Sequence, residues 1–143
     1  MFEKVLYPTD FSDVAQKALV YINQLKSAGT KKVAVVNVID SRTLDLLVYA
    51  PTHYMTIEKN LRDDAEEKIA SVRKYLEERG FEVSTRVEIG IPGDKILELE
   101  KQEDVSMIVL GSHGKSNIKE MFLGSVSERV IRSAIKPVLV VKR

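Results

Sequence analysis

The chain has 143 residues, with 22 Lys and Arg against 21 Asp and Glu for a formal charge of +1, and it contains no cysteine. That length suits one domain, long enough to bury ~68–70% of its unfolded surface. The balanced charge gives no polyelectrolyte signal for nucleic acid or an anionic membrane, and the missing cysteines exclude disulfides, thiol catalysis and thiolate metal sites.

The opening MFEKVLYP carries a charge at its third residue and lacks the apolar run of a signal peptide. No stretch reaches the ~20 apolar residues of a membrane span. A cytoplasmic protein is expected. Val5 to Tyr7 reads as a short strand ended by Pro8. Ser12 can cap the helix that follows, whose apolar face is Ala15, Ala18, Leu19, Ile22 and Leu25 and which ends before Gly29. Val33 to Ile39, rich in β-branched residues, is a second and central strand.

Ser41 to Met55 has apolar residues without a clean period and is read as an irregular connection. A helix follows over about 57–79, with Leu61, Ala65, Ile69, Val72 and Leu76 on one stripe and charges such as Asp64 and Lys68 on solvated faces. Phe81, Val83, Thr85, Val87 and Ile89 then alternate with polar residues, as in a strand with one wet face. Gly90 to Gly93 is a turn, and Asp94 to about Glu103 a short helix carrying Ile96, Leu97 and Leu99. Met107 to Leu110 is the uninterrupted apolar run of a strand buried on both faces. After Gly124, Val126, Val130, Ile131 and Ala134 share a helical face, and Pro137 starts a last strand over Val138 to Lys142. Five strands alternating with four helices make an α/β domain with a mainly parallel sheet, ordered 3-2-1-4-5 or 2-1-3-4-5.

The chemistry concentrates between the fourth strand and the last helix. Gly111, Gly114 and Gly124 lie close together there, although the whole chain has only seven glycines. Glycine lets backbone N–H groups turn toward an anion, and Ser112, Lys115, Ser116, Ser125 and Ser127 add hydroxyl and ammonium donors. Gly124-Ser125 also opens a helix, whose N-terminus favours a phosphate. Two familiar phosphate loops are excluded. A G-x-x-x-x-G-K-S loop would need glycine where Val109 stands, and the first strand-to-helix turn, Tyr7 to Ser12, has none for a dinucleotide fingerprint. In the first of the two strand orders, strands 1 and 4 meet at the topological switch point. The glycine loop then faces Asp10, with the end of strand 2 at Val38 beside them. Spacing alone leaves Asp10 equally suited to cap the first helix.

These residues resemble the universal stress protein family. Members that bind ATP carry G-x2-G-x9-G-[ST], matched here by Gly111, Gly114, Gly124 and Ser125. The opening Tyr7 to Ser12, the segment Asn37 to Asp40 and the closing Lys136 to Val141 are also similar, so the likeness spans essentially the whole chain. It implies a single Rossmann-like domain over 1–143, a five-stranded parallel sheet in the order 3-2-1-4-5 with helices on both faces, and ATP in the crevice, with or without Mg or Mn. Asp10 and the backbone of Val38 would hold the nucleoside end, and Gly111, Gly114, Gly124, Ser125 and Ser127 the phosphates and ribose. Pro8, Thr9, Leu110, Ser112, Lys115 and Val126 complete the expected binding residues. A homodimer through the C-terminal strand is implied as well, agreeing with the problem of an apolar strand at an open edge.

The function expected is an ATP-dependent switch in a stress response, with a protein partner that the sequence does not identify. No dedicated catalytic set stands out. Lys115, Asp10 and His113 are the groups available to a slow, partner-assisted ATPase, but none has an evident orienting partner, and His113 is read as a loop residue. A nucleotide-free homodimeric interaction module ranks last. A phospho-acceptor receiver domain is disfavoured, because Asp10 lacks the cluster of carboxylates at strand ends which that chemistry requires.

Overall fold

A computed structural model of the chain describes residues 1–46, 51–114 and 123–143. Its elements run β1 (Lys4–Pro8), α1 (Asp13–Leu25), a 3-10 turn (Lys26–Ala28), β2 (Lys32–Asp40), α2 (Ser41–Asp45), α3 (Pro51–Glu77), β3 (Glu82–Gly90), α4 (Pro92–Gln102), β4 (Met107–Gly111), α5 (Ser125–Ser133) and β5 (Val138–Val141). All strand pairs are parallel, and the sheet order is β3-β2-β1-β4-β5. The first of the two orders considered from sequence is therefore the one formed.

Because alternate strand residues face opposite sides, each central strand feeds two cores. Val5, Tyr7, Val33, Val35 and Val109 point to one side, where Ala18 and Ile22 of α1 and Ile69 and Leu76 of α3 cover them. Leu6, Ala34, Val36, Ile108 and Leu110 point to the other, against Ile96 and Leu99 of α4 and Val130 of α5. Tyr7 is wholly buried and donates its hydroxyl to the Ala15 carbonyl. Burial pushes its pKa up to about 12, so this phenol stays neutral and serves packing, not proton transfer.

Local signals account for the helix ends. Ser12 is the N-cap of α1 and accepts from Ala15 N, while Gly29 and Gly80 take positive φ values of 102° and 88° where the chain must leave a helix. Four readings need correction. Of the stretch read as an irregular connection, residues 47–50 lie outside the described residues, and Asp40 caps a short helix α2 by accepting from Arg42 N, which makes five α-helices among the described residues where four were expected. α3 begins at Pro51, six residues before the expected start, and α4 begins at Pro92, which takes a position near the helix start where a missing N–H costs nothing. Ile131 does not join the core face of α5; it is 42% exposed, and Ser127 is buried in that helix instead.

Candidate functional site

A cleft of about 380 Å³ opens where the carboxyl ends of β1, β2 and β4 meet the first turns of α4 and α5. β1 and its loop supply Pro8, Thr9 and Asp10, and β2 supplies Val36, Val38 and Asp40. β4 and its loop supply Leu110, Gly111, His113 and Gly114. Pro92 and Ile96 come from α4, Ala15 from α1, and Gly124, Ser125, Val126 and Ser127 from the start of α5. The β2 and α4 side is apolar, walled by Val36, Val38 and Ile96, and the β4 and α5 side carries the glycines and hydroxyl groups together with Leu110 and Val126.

Eleven of the expected site residues line this cleft: Pro8, Thr9, Asp10, Val38, Leu110, Gly111, Gly114, Gly124, Ser125, Val126 and Ser127. Lys115 lies outside the described residues. Ser112 is placed differently from expectation. It is 1% exposed, does not line the cleft, and its Oγ lies 2.8 Å from His113 Nδ1. Its backbone is a junction: N–H donates to the Val141 carbonyl, and the carbonyl accepts from Gly124 N at 2.7 Å and from Ser127 Oγ at 2.8 Å. Ser127 Oγ also lies 2.9 Å from the Gly111 carbonyl, so this hydroxyl ties the loop to α5.

The β1–α1 turn is held tightly. Asn37 Nδ2 donates to the Thr9 carbonyl at 2.8 Å, and Thr9 N to the Val36 carbonyl at 2.8 Å, pinning the strand end to β2. Phe11 takes a φ of 64°, a left-handed conformation costly for a bulky residue, ~1–3 kcal/mol. Its N–H donates to Thr9 Oγ1 at 3.0 Å, the Ser12 N–H donates to Asp10 Oδ1 at 2.9 Å, and its ring packs against the core beneath Lys68 of α3. Asp10 is therefore not the helix cap. Ser12 takes that role, and the Asp10 carboxylate stands in the cleft.

None of the three motif glycines has positive φ, so what marks them is how closely neighbouring atoms approach. A Cβ on Gly114 would lie 2.8 Å from Asp10 Oδ2, one on Gly111 would lie 2.8 Å from Val14 Cγ1 and 3.2 Å from Ala15 N, and one on Gly124 would lie 3.3 Å from the Ser112 carbonyl. Gly111 thus admits helix α1, while Gly114 and Gly124 keep the cleft floor at backbone level. Gly124 is the N-cap of α5 and offers no side-chain acceptor. The first turn of α5 consequently presents N–H groups without partners inside the helix, a place where an anion is stabilised.

Sequence reasoning missed Ala15, Val36, Asp40, Pro92, Ile96 and His113 as lining residues. Asp40 is bound by Arg42 Nη2 at 2.7 Å, and hydrogen bonding from that guanidinium holds its carboxyl below the usual carboxylate range. The start of α4 is tied to α5 by Arg129 Nε and Asp94 Oδ1 at 3.2 Å.

A family model described as the universal stress protein family matches residues 1–142. The chain belongs to that family. Universal stress protein MJ0577 of Methanocaldococcus jannaschii is 38% identical over 156 residues, covering 100% of this chain and 96% of the relative. Universal stress protein YxiE of Bacillus subtilis is 32% identical over 148 residues, covering 99% of this chain and 100% of the relative. The solved structure of MJ0577 superposes with a TM-score of 0.94 at 40% identity, covering 100% of this chain and 97% of that one. A universal stress protein solved in complex with cAMP gives a TM-score of 0.61 at 25% identity, covering 99% of this chain and 97% of that one. Among the described residues, no helix is long and apolar enough to cross a membrane.

Proposed function

We propose that the cleft binds ATP and that the protein acts as a nucleotide-dependent switch in a stress response. One observation carries this reading: a single cleft joins an apolar slot to a polar end built from the start of a helix and three glycines. A nucleotide has that same division, with a flat apolar base and an anionic tail. The base lies between Val38 and Ile96, the ribose hydroxyls meet the Asp10 carboxylate, and the phosphates meet Gly111, Gly114, Gly124, Ser125 and the first turn of α5. A universal stress protein of similar fold is solved in complex with cAMP, which supports nucleotide binding by this chain.

Among the described residues no three His, Asp or Glu side chains are grouped to hold a metal. A Mg or Mn ion would therefore be carried mainly by phosphate oxygens, with Asp10 and His113 as the nearby protein groups, and would neutralise phosphate charge. Added ATP should raise the melting temperature. At ~100 times the dissociation constant the stabilisation is ~2.7 kcal/mol. No shift, together with no nucleotide released on denaturing fresh protein, would overturn ATP binding and favour a nucleotide-free interaction module.

The protein pairs with a second copy through β5. Val138, Leu139 and Val140 are only half-buried at the sheet edge, and Ile135 just before them is 71% exposed. The carbonyls of Pro137 and Val141 face β4, accepting from Ile108 N and Ser112 N, so by alternation Val138 and Val140 turn their N–H and C=O groups outward. Val140→Pro removes an outward donor without touching the ladder to β4, and light scattering should then report a monomer. A surviving dimer mass would place the interface elsewhere.

A further inference from the structure

The run Val33 to Ile39 in β2 is apolar at every position except Asn37. Asparagine is a poor strand former, and a buried amide costs stability unless it is hydrogen-bonded. Asn37 is nonetheless only 7% exposed. Val35 faces α1 and α3, while Val36 and Val38 face α4, α5 and the cleft, so by alternation Asn37 stands on the side of the sheet away from the cleft. There its Nδ2 donates to the Thr9 carbonyl at 2.8 Å. This bond serves the turn after β1, not the strand that carries the asparagine.

That turn has a costly shape. Phe11 sits at φ 64°, a conformation that persists in a bulky residue only where its surroundings fix it. Both backbone groups of Thr9 are bound, N–H to the Val36 carbonyl and carbonyl to Asn37, and Thr9 Oγ1 in turn accepts from Phe11 N. Asp10 lies between these anchors. Its Oδ1 accepts from Ser12 N, and its Oδ2 would be 2.8 Å from a Cβ on Gly114, at the cleft floor. Relaxing Phe11 to negative φ would rotate the Asp10–Phe11 peptide and swing this carboxylate away. We propose that Asn37 is a positioning residue for ligand recognition: by clamping the Thr9 carbonyl it keeps the strained turn in the shape that aims Asp10 at the ribose hydroxyls. The proposal rests on the cleft taking a nucleotide. Asn37 acts through Asp10 and touches no ligand itself.

The test is calorimetric titration with ATP and, separately, dideoxy-ATP, which keeps the base and phosphates but lacks the ribose hydroxyls. Wild type should prefer ATP by at least about tenfold, the scale of a hydrogen bond to a carboxylate. Asn37→Val suits a strand and an apolar surrounding but removes the clamp. It should weaken ATP roughly tenfold, leave dideoxy-ATP within about twofold, and so erase the preference. In an Asp10→Ala background the same substitution should cost ATP nothing further, since there is no carboxylate to aim. Melting curves beside the titrations report folding. Should Asn37→Val not fold, Thr9→Val loosens the same turn by removing the acceptor of Phe11 N while leaving the bonds to β2 in place, and it should erase the preference too.

Equal loss of ATP and dideoxy-ATP in folded Asn37→Val, or an unchanged preference, would overturn the proposal and leave Asn37 a support of the fold alone. So would a further loss of ATP affinity when Asn37→Val is added to Asp10→Ala. A wild-type protein that binds ATP and dideoxy-ATP equally would refute the aim of Asp10 and leave the nucleotide reading intact. A wild type that binds neither would remove that reading, and this proposal with it.

Discussion

Gly124→Val should abolish ATP binding while leaving the protein folded. Gly124 has φ −72° and ψ 162°, extended angles that any residue adopts, so valine adds no backbone strain. The first added carbon would lie 3.3 Å from the Ser112 carbonyl and 3.4 Å from His113 Cα, which a small shift can relieve. The two methyl groups beyond it have less room. They would stand at the mouth of the first turn of α5, where phosphate oxygens must come within hydrogen-bonding distance of backbone N–H groups. Affinity should fall by more than about 100-fold, or ~2.7 kcal/mol, measured by calorimetry beside a melting curve that shows intact folding. Gly124→Ala, with only the first carbon, should lose much less. A folded valine variant with wild-type affinity would show that phosphate does not approach α5.

The contrast with Gly111 explains why the glycine pattern was legible and its meaning was not. From sequence, all three motif glycines suggest backbone turned toward an anion. In the fold, Gly111 is small because Val14 and Ala15 of α1 press against it, whereas Gly114 makes room for Asp10. Spacing identifies where small residues are needed, but the neighbour that needs the space comes from another element. The same limit applies to Ser112, whose hydroxyl suits a phosphate equally well on paper and is buried against His113 in the structure.

Strands and core were read well where the chemistry is local. The run Met107 to Leu110 is buried on both faces, and the alternation after Phe81 gives β3 one wet side. What failed had no local signature. α2 depends on a cap from Asp40 to Arg42, and the early start of α3 lies in a stretch without apolar period. Ile131 fits the apolar stripe of α5 by spacing, yet Val130 is buried and Ile131 is 42% exposed; spacing gives the face of a helix but not which turns of it another element covers.

Glu100 presents the sharpest disagreement between pattern and place, and it yields the second large effect. In the sequence it lies among Glu98, Lys101 and Glu103, with nothing to set it apart from them. In the fold it is 2% exposed, and its Oε1 accepts from Ile135 N at 2.8 Å and Lys136 N at 2.6 Å. A buried carboxylate from α4 therefore holds the turn that carries the chain from α5 into β5. Its Oε2 has no hydrogen-bond partner among the described residues. Glu100→Leu keeps approximate volume but leaves two part-buried N–H groups without their acceptor, each costing up to ~1–3 kcal/mol to the extent that water cannot replace it. Relief from desolvating the charge offsets part of that loss. The net should be ~3 kcal/mol, a fall in melting temperature of roughly 6–12 °C. Glu100→Gln retains an acceptor at Oε1 and should cost much less. Because the turn delivers β5 to the sheet edge, the leucine variant should also lose protection of the Leu139 and Val141 amides in hydrogen exchange before the amides of β1 and β2 open. A leucine variant that melts with the wild type would mean that the α5–β5 turn holds its shape without the carboxylate.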